Sequence, residues 1–138
     1  MIGVDFDGTL VECKAAFVDG WWRQTPEQIV ATNWYPLYDN IGVIRSLYTS
    51  GVPLVLISAR PVELLPATRT QLSKIGILHL FDDIIHQPQW VDDETAINFK
   101  ADAMRTHKVQ MYYGDTLNDA EACRRAGVDF MHCARTVD

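Results

Sequence analysis

Apolar positions along this chain alternate between short continuous runs and stretches with helical spacing, which is the rhythm of strands alternating with helices. Ile2, Val4 and Phe6 open the chain as a short buried strand, and Gly8-Thr9 breaks it into a tight turn. Over residues 37–50, Ile41, Ile44, Leu47 and Tyr48 recur at helical intervals, which predicts a helix capped by Asp39 or Asn40 and ended by Gly51. Residues 52–57 are an unbroken apolar run of the kind found in strands covered on both faces, and they end at Ser58-Ala59-Arg60. A helix over about 66–75 follows, with Pro66 in its first turn and Gly76 as its stop. The remainder reads as a strand over 82–86, a polar loop over 87–93 and a helix over about 95–107 with Lys100 near its middle. A strand over 109–113, a short helix over 118–125 closed by Gly127 and a last strand over 128–132 complete the chain. Such alternation specifies a single α/β domain over 1–138: three layers, Rossmann-like, around a central parallel sheet of about five strands.

The exception to the rhythm is 11–35, a small insertion after the first strand that holds Trp21, Trp22, Trp34 and Tyr35 around Pro26. Ala15 to Val18 suit a helical turn or two. Large aromatics are mostly packing residues, so these read first as a satellite cluster joining the insertion to the body, with substrate stacking as the alternative.

Composition is globular, with 48% hydrophobic and 22% charged residues, which argues against disorder. The net charge of −6, with Arg124-Arg125 the one basic cluster, weakens any case for avid electrostatic binding to nucleic acid or an anionic membrane. No signal sequence opens the chain and no run of 18 apolar residues interrupts it, so no membrane partner is expected. The three cysteines, Cys13, Cys123 and Cys133, lack metal-binding spacing and read as reduced thiols in a cytoplasmic protein.

Ligands of open parallel sheets bind at the carboxyl ends of the strands, and there this chain concentrates its polar residues. Asp5 and Asp7 end the first strand, two apart and able to face one site. Ser58 ends the second, and Asp115 ends the fourth with Asp119 one helical turn beyond. Two acids so crowded repel unless a cation neutralises them or one keeps its proton. Asp5, Asp115 and Asp119 offer hard oxygen ligands of the kind Mg²⁺ takes, with room left for a phosphate oxygen. Ser58 and the backbone amides that follow it, at Ala59 and Arg60, can donate to a phosphoryl group, and Lys100 can place a compact positive charge beside it. Arg60 follows Ser58 at the mouth, as a surface or packing residue or as a further substrate contact.

The set Asp5-Phe6-Asp7-Gly8-Thr9-Leu10, Leu56-Ile57-Ser58, Lys100 and Gly114-Asp115-Thr116-Leu117-Asn118-Asp119 resembles, in order, the four motifs of the haloacid dehalogenase superfamily. The resemblance covers nearly the whole chain outside 11–35. It implies that the first strand lies between the second and the fourth. It also implies that Asp5 is a nucleophile forming an aspartyl-phosphate and that Asp7 is the general acid and then base. Ser58 and Lys100 would hold the phosphoryl group, and Asp5, Asp115, Asp119 and the backbone carbonyl of Asp7 would hold Mg²⁺. An acid at position 7 fits phosphatases and phosphomutases. With only about 25 residues available as a cap, water reaches the intermediate, so a phosphatase is the expectation. The expected substrate is a small phosphate ester, a nucleotide or a polynucleotide 3′ end. The spacing from Ser58 to Lys100 is similar to capless members such as the 3′-phosphatase domain of polynucleotide kinase. The aromatic stretch is similar to small deoxyribonucleotidases, in which Trp21 or Trp22 would meet a base. A non-catalytic binding or scaffold protein and a phosphotransferase are the rival readings. Nothing in the sequence calls for an oligomer.

Overall fold

The chain's computed structural model describes residues 1–13, 24–31, 34–89 and 92–134. Its framework is best seen from β4, Leu54–Pro61, the longest strand. Successive side chains of a strand point to opposite faces. Leu54 and Leu56 accordingly pack into one core with Val4, Ile41, Ile44 and Leu72, while Val55 and Ile57 enter a second with Ile97, Met104, Tyr112 and Cys123. All four of these β4 side chains are fully buried, which is why the run carries no polar alternation.

The first core lies under α2 (Tyr38–Thr49) and α3 (Leu65–Lys74), and the second under α4 (Asp93–Thr106) and α5 (Leu117–Ala126). Between them run β1 (Ile2–Val4), β4, β5 (Asp83–Gln87), β6 (Met111–Gly114) and β7 (Asp129–His132), in the order β5-β4-β1-β6-β7 with every pairing parallel. The three-layer α/β reading and the central placing of the first strand are both observed. The carboxyl ends of β4, β1 and β6 therefore stand side by side.

Two local expectations are corrected. Asp39 and Asn40 do not cap α2, whose N-cap is Leu37 with no side-chain bond. Asn40 instead reaches across the chain, donating to the backbone oxygens of Thr9 and Ala134 at 2.9 and 3.0 Å. The helix expected from residue 95 starts two residues earlier, because Asp92 is its N-cap and accepts from the Thr95 amide at 2.8 Å.

Of the insertion, β2 (Val11–Cys13) and β3 (Trp34–Pro36) form an antiparallel ribbon, and α1 (Pro26–Ala31) lies against α3. Trp34 packs on the core edge and its indole N–H donates to the Val30 oxygen at 3.2 Å. That indole is a packing residue. Trp21, Trp22 and the expected turn at 15–18 lie outside the described residues. Among the described residues, no helix is long and apolar enough to cross a membrane.

Candidate active site

The site begins where β1 stops. Asp5 follows the strand's last residue, and its amide still donates to the Tyr113 oxygen at 2.9 Å, so its backbone is fixed by the sheet. The chain then turns sharply through Gly8, whose φ of 78° is the left-handed conformation that glycine tolerates. The amides of Thr9 and Leu10 close that turn on the Phe6 oxygen. Asp5 and Asp7 both line one cleft of about 210 Å³, together with Ser58, Ala59, Arg60 and Lys100. Both acids thus line one cleft, although β1 itself ends at Val4 and Asp7 lies beyond it on the turn.

Asp5 is buried, and Lys100 reaches it from the middle of α4 with Nζ 2.8 Å from Oδ1. The same ammonium lies 2.7 Å from Asp119 Oδ1. Lys100 is thus no solvated helix lysine: it is 8% exposed and shared between two buried carboxylates. Asp119 is held in turn by the capping box of α5, accepting from the amides of Asp115 and Thr116 at 3.2 and 3.3 Å. Gly114 makes room for it, since a Cβ there would stand 2.6 Å from Asp119 Oδ2.

The electrostatics follow from crowding. Burial and the Asp119 charge push the Asp5 carboxyl well above its ordinary range, although Lys100 opposes them. Burial also raises Asp119, but Lys100 and the Thr116 contacts outweigh it and hold that acid below the usual value. Burial pulls Lys100 down, and the two carboxylates more than compensate, so its ammonium is held well above the ordinary lysine value.

Asp5, Asp115 and Asp119 bring one carboxylate oxygen each to within 4.8 Å of one another. Three hard oxygen donors at that spacing, with one acid raised by burial and its neighbours, fit a small divalent cation. Thr9 Oγ1 sits between two members of the set, 3.3 Å from Asp5 Oδ2 and 3.4 Å from Asp115 Oδ1.

Asp7 stands apart from that cluster. Its side chain is 25% exposed, and both of its oxygens are taken by Arg60: Nε lies 2.8 Å from Oδ2 and Nη2 2.8 Å from Oδ1. Arg60 is neither a surface residue nor a simple lining group but one of the largest fully buried side chains. Its Nη1 donates to Thr68 Oγ1 and Gln71 Oε1 at 3.1 and 2.9 Å, and its guanidinium carbon lies 4.6 Å from the centre of the Phe6 ring. Ser58 is buried at the same strand end, and its Oγ accepts from the Arg60 amide at 3.1 Å.

Sequence reasoning missed Thr68 and Gln71. The signal was available, because two polar residues three apart on the inner face of a helix need a buried partner. It gave no role to Thr116 and Asn118 of the fourth motif, which line the cleft from the start of α5, and it missed Asp93, Ala96 and Ile97, which line it from α4.

No family model matches the sequence, and no curated protein matches it. Comparison with solved structures is informative. The Pnkp1/Rnl/Hen1 RNA repair complex contains a chain that matches 96% of this one with a TM-score of 0.73 at 15% identity. A predicted phosphoglycolate phosphatase from Haemophilus somnus 129pt matches 96% of the chain at 14% identity, with a TM-score of 0.66 over 84% of its own length. CbbY from Rhodobacter sphaeroides, solved with phosphate, gives a TM-score of 0.68 at 14% identity over 85% of its length. The fold is the one these solved structures share. This chain spans 42% of the Pnkp1 complex chain, so it is similar to one part of that larger protein.

Proposed function

We propose that this protein is a Mg²⁺-dependent phosphomonoester hydrolase that works through an aspartyl-phosphate on Asp5. The observation that carries the reading is Asp5 itself, a carboxylate fixed at the end of the central strand and held 2.8 Å from a buried lysine in a cleft that also contains Ser58. In this reading an Asp5 oxygen attacks phosphorus and the bond from phosphorus to the ester oxygen breaks. Asp7 gives its proton to the departing oxygen. Asp7 then takes a proton from water, which attacks the aspartyl-phosphate, releasing inorganic phosphate and restoring Asp5. Lys100 and the Ser58 hydroxyl stabilise the phosphoryl oxygens. Asp5, Asp115, Asp119 and the Asp7 backbone carbonyl are the ligands assigned to Mg²⁺, which when bound offsets repulsion between the acids and an incoming phosphate dianion.

The substrate class proposed is a small phosphate ester, with a nucleotide or a polynucleotide 3′ end as members. Likeness to a chain of an RNA repair complex supports the latter, and the net charge of −6 supports small esters. The experiment measures phosphate release from mononucleotides, 3′-phosphorylated oligonucleotides and sugar phosphates, with Mg²⁺, with EDTA and with Asp5→Asn. Release that requires both metal and Asp5 is expected, and the preferred substrate names the class. Release that persists with Asp5→Asn, or none from any ester, refutes the reading.

A further inference from the structure

Two carboxylates enter the cleft from one turn, and each has its own cation. Lys100 serves Asp5 in the reading above, but nothing there gives Arg60 a task. Its geometry is unusual for a phosphate contact. The guanidinium has no exposed surface, four of its hydrogen bonds run to Asp7, Thr68 and Gln71, and one of its faces covers Phe6.

The strand is built to place it so. Between Ser58 and Pro61 the pairing of β4 with β5 shifts register, with Ser58 opposite His86 and Pro61 already opposite Gln87. Such an irregularity re-aims side chains, and here it falls on Ala59 and Arg60. Thr68 and Gln71 on α3 then fix the far end of the guanidinium. The planar fork presented to Asp7 is thus held by a strand, a helix and an aromatic ring, whereas Asp7 sits on a turn and is partly open to solvent.

We propose that Arg60 is a positioning residue for the leaving-group step: its buried fork sets the direction in which the Asp7 carboxyl meets the ester oxygen. This rests on the phosphatase reading above and assigns Arg60 a role other than substrate binding. An aspartate on a turn has two free torsions, and an orientation error of about 1 Å in a reacting group costs on the order of 10²-fold in rate. A bidentate fork removes both torsions at once, and a lysine, a point charge on a flexible stem, cannot reproduce it.

The test compares Arg60→Lys with the unaltered protein on two esters, p-nitrophenyl phosphate and an alkyl phosphate. The first has a leaving group that departs without a proton, and the second needs one. Arg60→Lys is expected to lose about 10- to 100-fold in kcat on the alkyl ester and no more than about threefold on the aryl ester, with inhibition by inorganic phosphate unchanged. In an Asp7→Ala background the same substitution should cost nothing further on the alkyl ester, because residues acting through one another are not additive. Equal losses on both esters, an additive loss in the Asp7→Ala background, or weakened phosphate inhibition each overturn the proposal. Gln71→Met removes one support of the fork and keeps the volume, so it should show the same split at smaller size even if Arg60→Lys folds poorly. Should the unaltered protein show no release that depends on Asp5, the phosphatase reading falls and this proposal falls with it. Release dependent on Asp5 without the ester split sinks this proposal alone.

Discussion

Replacing Lys100 by methionine keeps the side chain's length and removes its charge from between two carboxylates that are 5% and 1% exposed. Both ion pairs are short, 2.8 Å to Asp5 and 2.7 Å to Asp119, so the substitution leaves two buried acids facing each other without a cation. Breaking a buried pair by removing one partner costs about 3–5 kcal/mol. For a chain of this size the unfolding entropy is on the order of 290 cal/mol/K, so each kcal/mol moves Tm by about 3–4 °C. Thermal unfolding in EDTA should therefore fall by about 10–17 °C at neutral pH. The loss should shrink as pH falls. Burial and the neighbouring acids raise the Asp5 carboxyl even beside Lys100, so its contribution to stability is present below its unfolded value and lost as pH rises through the folded one, and removing the opposing ammonium widens that window. Excess MgCl₂ should recover more than half of the deficit, because a cation bound to the folded state alone stabilises it by mass action. The assay is a set of melts followed by circular dichroism in EDTA and in MgCl₂. Equal Tm values for Lys100→Met and the unaltered protein in EDTA at neutral pH would refute the reasoning, since the acids would then need no counter-charge.

Further outcomes follow from single contacts. Gly114→Ala puts a Cβ 2.6 Å from Asp119 Oδ2 and 2.9 Å from its Cγ, so Mg²⁺ affinity measured by calorimetry should weaken by about 10-fold or more; unchanged affinity would show that Asp119 has room to move. His86 has its pKa lowered from 6.5, chiefly by burial, so the unfolded chain takes the proton first and stability should drop as pH falls below 6.5. Denaturant melts across that range should show a shallower slope for His86→Gln, and an identical slope would remove His86 as the cause. Burial raises the Cys123 thiol to about 12 and the Cys133 thiol to about 11, so neither should react with iodoacetamide in the native protein near pH 8, while both should in denaturant; mass spectrometry of the alkylated protein decides this.

The parts of this molecule that were legible in its sequence are those set by period and punctuation. Leu54 to Ile57 read as a strand buried on both faces because four consecutive apolar residues leave no side for water, and each face indeed meets its own core. Asp5, Ser58, Asp115 and Asp119 were legible because strand ends of a parallel sheet converge. Partnership across distance was harder to read: Lys100, 95 residues from Asp5, entered the site only with the motifs of the resemblance, and the pairing of Arg60 with Asp7, 53 residues away, was not read at all. No local pattern distinguishes a lysine that crosses a core from one that faces solvent. Asn40 misled for a related reason: an Asn near a helix start is a cap by local statistics, yet here Thr9 and Ala134 compete for its side chain and win.

The site's arrangement also explains why a divalent cation suits it. Asp5, Asp7, Asp115 and Asp119 bring four carboxylates to one strand edge, and Lys100 and Arg60 bring two cations. Among the described residues the acids of this edge thus outnumber the cations by two, the charge that one divalent ion supplies. The imbalance is not spread evenly. Arg60 satisfies Asp7 with both oxygens engaged, whereas Lys100 is divided between Asp5 and Asp119, and Asp115 lies beside them. Asp5, Asp115 and Asp119 are the three that gather within 4.8 Å, and burial together with the Asp119 charge raises Asp5 there. Two acids two residues apart are thus divided by their cations into different environments: Asp5 buried beside Asp115 and Asp119 and sharing Lys100, Asp7 partly exposed at the cleft and held by a fork. The proposed mechanism needs that difference between nucleophile and proton carrier, and here it is built from which strand or helix each cation comes from.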